Sequence, residues 1–149
     1  MTKNQIIKLD ATNIDEIYDL FLEAFGNESW TKQQLLSSLN NTCSAFYAVL
    51  FKQKIVSIIS VLNAVDDINI LDIATKNEYK KMGFASMLID YIKSIKQPNQ
   101  TISLEVKESN YPAINFYAKH GFKTISKRKK YYKNGESANV MFFGLNHEQ

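Results

Sequence analysis

Two short segments hold the residues whose types and spacing could do chemistry. The first, Leu71-Asp-Ile-Ala-Thr-Lys-Asn-Glu-Tyr-Lys-Lys-Met-Gly-Phe-Ala-Ser-Met-Leu88, passes from an apolar run through a donor-rich loop into an amphipathic run. The second, Leu104-Glu-Val-Lys-Glu-Ser-Asn110, carries a glutamate, Glu105, near the end of an apolar run. Gly83 has no side chain, so a phosphate can approach its backbone closely. A helix opening there presents unpaired N–H groups and the positive end of its dipole. Lys80 and Lys81 add positive charge. The plain alternative is a solvated basic loop with a glycine turn. The segment lacks the Gly-Lys-Ser/Thr ending of a Walker loop and is not Gly-x-Gly-x-x-Gly.

A pyrophosphate at that helix start with a carboxylate beside it is the layout an acyl-CoA-dependent transferase needs. An amine nucleophile arrives protonated, with a pKa of about 7.7–8.0 for an α-amine and roughly 10.4 for lysine. A base must take that proton directly or through water. Glu105 can do so if partial burial raises its basicity; otherwise it is an exposed strand-end carboxylate. Tyr117 carries a phenol that could protonate a leaving thiolate. Helix periodicity alone makes it a core aromatic packed with Phe116 and Phe122. Asn110 reads as a helix N-cap.

The elements that must position these groups follow from periodicity. Gln5 to Leu9 reads as a strand. Thr12 is expected to cap a helix bearing Ile14, Ile17, Tyr18, Phe21, Leu22 and Phe25, which Gly26 ends. Thr31 caps a second helix. Ser44–Phe51 and Lys54–Leu62 form a hairpin about Lys52-Gln53. A strand over Ile68–Thr75, a helix over Gly83–Ile95 and a strand over Thr101–Val106 form one crossover unit, so the two strands should be parallel neighbours. Asn110, Pro112 and Gly121 bracket a further helix. Phe122–Lys129 and Ala138–Gly144 close the chain as strands. The order β-α-α-β-β-β-α-β-α-β-β predicts an α/β fold with helices packed on a mixed sheet.

Composition narrows the chemistry. The 149 residues, 45% hydrophobic and 22% charged, fit one globular domain over 1–149. Cys43 is the only cysteine, which excludes an intrachain disulfide and argues against a Cys-based zinc site; the two histidines, His120 and His147, lie far apart, so no metal is expected. The N-terminus lacks a signal-peptide core and no window approaches the ~20 apolar residues of a membrane span, so a cytoplasmic protein without membrane contact is expected. The net charge of +3 is too small to imply nucleic-acid binding alone, although Lys127-Arg-Lys-Lys130 and Lys133 cluster.

The chain resembles the GCN5-related N-acetyltransferase (GNAT) superfamily. Its acetyl-CoA loop reads Gln/Arg-x-x-Gly-x-Gly/Ala, which Met82-Gly83-Phe84-Ala85 matches, with Lys80 where Gln or Arg is usual. Leu104 to Asn110, then Ala113-Ile114-Asn115-Phe116-Tyr117, then Gly121-Phe122, is similar to the ribosomal-protein alanine N-acetyltransferases of RimI type. Phe25 through Trp30-Thr31 resembles their substrate-side loop. Lys130-Tyr131-Tyr132 resembles their Arg-Asn-Tyr-Tyr ending, with Lys130 in place of Asn.

The resemblance implies a mostly antiparallel central sheet whose parallel pair splays to hold acetyl-CoA, with helices on both faces. It implies cofactor contacts along a bulged strand at Ile73, Ala74 and Thr75. Further contacts fall at Lys80, Lys81, Met82, Gly83, Phe84, Ala85, Ser86 and Asn110. It makes Glu105 the general base and Tyr117 the general acid. Trp30, Tyr131 and Tyr132 become the acceptor-binding residues, and the N-terminal alanine of a small-subunit ribosomal protein the default acceptor. No metal is needed.

Two other readings stay open. The same chemistry could act on lysine, a polyamine or another small amine, because a fold does not determine its acceptor. A binding module without catalysis could use Lys127 to Lys130 with Tyr131 and Tyr132 on RNA. The rest of the sequence offers no broad basic surface for that, and a weak ribosome contact explains the cluster as well.

Overall fold

The computed structural model describes residues 4–144. Strand β1 (Gln5–Lys8) leads through a 3-10 turn at Ala11–Asn13 into helix α1 (Ile14–Phe25). Asp10, not Thr12, makes the cap. Its carboxylate accepts the Thr12 N–H at 2.9 Å and the Thr12 hydroxyl, and the Asn13 side chain returns to the Asp10 N–H. The Thr12 hydroxyl, expected to accept, is spent as a donor to the stronger acceptor. Helix α2 (Lys32–Leu39) starts as expected, from a reciprocal Thr31–Gln34 capping box. Strands β2 (Ser44–Phe51) and β3 (Lys54–Asn63) turn through Lys52 and Gln53, both at positive φ, as a tight two-residue hairpin turn requires.

Strand β4 (Asp67–Thr75), helix α3 (Phe84–Ile95) and strand β5 (Thr101–Lys107) form the crossover unit. Helix α4 (Tyr111–Lys119), β6 (Lys123–Arg128) and β7 (Ala138–Phe143) complete the chain. The seven strands lie in the order β1-β2-β3-β4-β5-β7-β6, and only β4–β5 is parallel. Alternate side chains of the sheet feed two cores. Phe46, Ala48 and Ile58 pack with α1 and α2 on one face. Val49, Ile59, Ile102 and Leu104 pack with α3 and the buried Tyr117 of α4 on the other. Among the described residues no helix is long and apolar enough to cross a membrane.

Three features of the sheet position the site. The parallel pair is hydrogen-bonded only from Asp67–Thr101 to Ile70–Leu104, although both strands run on. A polar latch closes that paired end. The Asp67 carboxylate accepts from Thr101 Oγ1 at 2.7 Å and Ser103 Oγ at 2.6 Å, and Asn69 donates to Ser103 at 2.9 Å. Beyond the latch the strands separate. Finally, the β3–β4 register slips between Ser60–Asp72 and Val61–Ile70, leaving Leu71 as an extra bulged residue.

Candidate active site

Gly83 caps the start of α3 at φ 89°, in the left-handed region where glycine carries no Cβ penalty. No atom lies within 4 Å of where its Cβ would be, so the space above it is open. The first bond inside the helix runs from the Met87 N–H to the Gly83 carbonyl at 3.1 Å, which leaves the earlier N–H groups of Phe84, Ala85 and Ser86 without a helical acceptor. Lys80, Lys81 and Met82 are exposed around this opening. Two of the expected cofactor residues turn their side chains elsewhere. Phe84 is buried against Phe51 and Tyr79, and the Ser86 hydroxyl meets His120 Nε2 at 3.0 Å, leaving only their backbones on the loop side. Burial holds the His120 imidazole below its ordinary pKa.

Leading into this loop, Ile73, Ala74 and Thr75 pair with β3 on one side. On the other side the ladder to β5 has already ended. Their free edge can accept an extended amide chain as an added strand. An open strand edge ending at a helix N-terminus fits the amide-rich arm and pyrophosphate of coenzyme A.

The separated strands flank a cavity of about 420 Å³ lined by Asn69 to Asp72 of β4, Glu105 to Lys107 of β5, Asn110, Tyr131 and Tyr132, with Glu28 at its rim. Glu105 faces it with a side chain 24% exposed, and its Oε2 lies 2.5 Å from Arg128 Nε. Asn110 reaches the cavity while its side chain caps α4 through the Ala113 N–H at 3.3 Å. A neighbouring cavity of about 740 Å³ shares Glu28, Lys107 and Tyr132 and adds Ser29, Trp30, Gln34 and Lys133.

Tyr117 is buried, edge-on to Phe116 and Phe122. Burial, with the charge of Asp72 in range, pushes its phenol well above the ordinary tyrosine pKa. It therefore stays protonated and able to donate. Tyr131 and Tyr132 sit in the loop after β6, which ends at Arg128, not at Lys129 as expected. Their rings meet edge to face at 5.1 Å, with Arg128 over Tyr131 and Lys107 over Tyr132. The basic cluster is partly neutralised, since Arg128 pairs with Glu105 and Lys127 with Glu108.

Sequence patterns assigned no role to Asp72. Asp72 lines the cavity, and its Oδ2 accepts the Trp30 indole N–H at 2.9 Å. Burial pushes its carboxyl up to about 6 against that hydrogen bond. The available signal was an aspartate inside an apolar strand. Period-two alternation groups it with Ile68 and Ile70, which face the α3 core, and so conceals its orientation. The extra residue at Leu71 reverses the phase. Beyond it, Ala74 faces the α1–α2 core and Asp72 meets Trp30 on that same face.

A sheet that opens at a parallel pair, with a glycine-led helix at one side and a carboxylate-lined cavity at the other, defines an acyl-CoA-dependent transferase. The model of the acetyltransferase (GNAT) family matches residues 14–122, and the chain belongs to that family. It is an acetyl-CoA-dependent N-acetyltransferase. The chain is 30% identical over 149 residues to a Bacillus subtilis (strain 168) protein provisionally named ribosomal protein bS18-alanine N-acetyltransferase, covering 97% of this chain and 98% of that one. It is 28% identical over 141 residues to an N-alpha-acetyltransferase of Saccharolobus solfataricus, covering 93% and 84%. The fold matches the crystal structure of the ribosomal-protein-S18-alanine N-acetyltransferase of Escherichia coli with a TM-score of 0.86 at 23% identity, covering 99% and 98%.

Proposed function

We propose that this enzyme acetylates the N-terminal α-amine of a protein, with the N-terminal alanine of a small-subunit ribosomal protein as acceptor. The observation that carries this reading is that the Glu105 cavity and the larger groove bounded by Trp30, Tyr132 and Lys133 are neighbours, sharing Glu28, Lys107 and Tyr132 as lining. A chain end can place its amine at Glu105 while the following residues occupy the groove. The names of the Bacillus subtilis and Escherichia coli proteins point to the same acceptor class.

Acetyl-CoA supplies the acetyl thioester. The Gly83–Ser86 backbone, with Lys80 and Lys81, would hold its pyrophosphate, and Ile73 to Thr75 its pantetheine arm. Backbone N–H groups on that edge polarise the thioester carbonyl. Glu105 takes a proton from the acceptor nitrogen through water, and Tyr117 gives one to the departing sulfur. No residue role here requires a metal. Trp30, Tyr131 and Tyr132 flank the peptide. A ribosomal acceptor places the reaction in the cytoplasm, where Lys129, Lys130 and Lys133 offer a weak ribosome contact.

The test follows thiol release from acetyl-CoA with Ala-, Ser- and Met-initiated peptides, an N-terminally blocked lysine peptide and spermidine. Release with free N-termini alone, fastest for alanine, is expected. Release with the blocked peptide or spermidine transfers the assignment to side-chain or small amines.

A further inference from the structure

The mechanism above leaves one cavity-facing carboxylate without a task. Asp72 and Glu105 stand on the two separated strands, on the same face of the sheet, and line one cavity. Glu105 has one oxygen committed to Arg128. Asp72 has one oxygen committed to a neutral donor, the Trp30 indole, and no cation is paired with it among the described residues. The ionisable groups around it are Glu105 and Lys107 of β5, Glu28 after α1, Tyr117 of α4, and Tyr131 and Tyr132 after β6. Of the two cations near this set, Arg128 lies on Glu105, and Lys107 lies 3.5 Å from Glu28.

We propose that Asp72 is a second catalytic carboxylate, which binds the acceptor's ammonium group and removes its first proton before acyl transfer. The inference rests on the amine-acceptor reading above and adds a residue to it. An ammonium entering the cavity meets a partly buried carboxylate with no competing cation, where its attraction is strengthened by low local polarity. The ammonium passes one proton to Asp72, which becomes a neutral acid, and the nitrogen recovers its lone pair. The nitrogen–carbon bond forms as the carbon–sulfur bond breaks. The second nitrogen proton leaves to Glu105 and the departing sulfur takes a proton from Tyr117; the proton on Glu105 then passes through water to the tyrosinate, which restores both groups, and Asp72 returns its proton to solvent. A carboxyl raised to about 6 lies roughly two units below an α-amine, close enough to exchange a proton at neutral pH. Trp30 tunes the group, because its hydrogen bond favours the ionised form.

Two measurements decide the matter. The first is the pH profile of kcat/KM for Asp72→Asn, Trp30→Phe and the double variant. Asparagine keeps an oxygen for the indole, so the fold is retained. Asp72→Asn is expected to lose about a hundredfold in kcat/KM at neutral pH and to lose the acid limb near pH 6. Trp30→Phe is expected to move that limb to higher pH, and to move nothing in the Asp72→Asn background. A wild-type limb in Asp72→Asn, or an equal shift in both backgrounds, overturns the proposal.

The second measurement is calorimetric binding of the Ala-initiated peptide and of its N-acetylated form to the coenzyme A-loaded protein. Asp72→Asn is expected to weaken the free amine about tenfold and leave the acetylated peptide unchanged. Equal losses for both peptides overturn the ammonium contact. If wild-type protein acetylates only lysine or spermidine, the acceptor assignment fails, and both measurements on that amine still decide the role of Asp72.

Discussion

Arg128 Nε lies 2.5 Å from Glu105 Oε2, an ion pair that spans from β6 to β5 across the intervening β7. It fixes one carboxylate oxygen of a side chain that lines the cavity. The Arg128 side chain is 62% exposed, so the pair contributes little to stability. Arg128→Ala is expected to cost under about 1 kcal/mol in urea unfolding. It should lower kcat/KM about tenfold by releasing Glu105 from its orientation, and Arg128→Lys should restore part of that loss. A large stability loss with unchanged kinetics would make the pair structural.

Glu105→Gln keeps the size of the side chain and removes the base. Turnover should fall by about 10²–10⁴ while acetyl-CoA affinity stays near wild type, because the residue lies on the acceptor side. Single-turnover kinetics with calorimetry of acetyl-CoA binding separates the two. Undiminished turnover would remove Glu105 from the chemistry.

Tyr117→Phe retains the ring that packs against Phe116 and Phe122. Thermal stability should therefore change little and turnover should fall. Since burial raises the phenol's pKa, the wild-type hydroxyl remains a donor throughout the usual assay range, and no alkaline limb from Tyr117 should appear below about pH 10. Equal rates for both proteins across pH would leave Tyr117 a packing residue.

At Gly83 the local space is open and the backbone is the constraint. Gly83→Glu should cost about 1 kcal/mol in stability through its positive φ. It should weaken acetyl-CoA binding much more, by bulk and by repulsion of the pyrophosphate. Calorimetry that returned wild-type affinity would move the phosphate site off the α3 terminus.

Asp72 also makes a stability prediction independent of activity. Burial pushes its carboxyl up to about 6 in the fold, against about 3.9 for an ordinary aspartate, so between those values the folded state holds a proton that the unfolded state releases. Its contribution is complete below about pH 4 and is lost as pH rises through about 6. Above that window the buried charge costs on the order of 2–3 kcal/mol. Asp72→Asn should therefore be the more stable protein at pH 7.5, and the difference should vanish near pH 4. Denaturant unfolding at both pH values checks this, and a variant less stable at pH 7.5 would contradict it.

Local physical chemistry made much of this protein readable from its sequence. Alternation and 3.6-residue spacing located the strands and helices. The glycine before an amphipathic run marked the α3 opening, and Leu104-Glu105-Val106 placed a carboxylate between two core positions. These signals lie within a few residues of one another, so the chain carries them without its fold. The tertiary structure decided what depends on distant segments. One extra residue at Leu71 inverts the strand's phase, which shows only in its register against β3, and this brings Asp72 to Trp30, 42 positions earlier. Arg128 reaches Glu105 because β7 returns between their strands. The parallel pair opens beyond Ile70–Leu104 because its ladder and polar latch serve only one end. Strand register and long-range charge pairing are properties of the assembled sheet, and no local pattern encodes them.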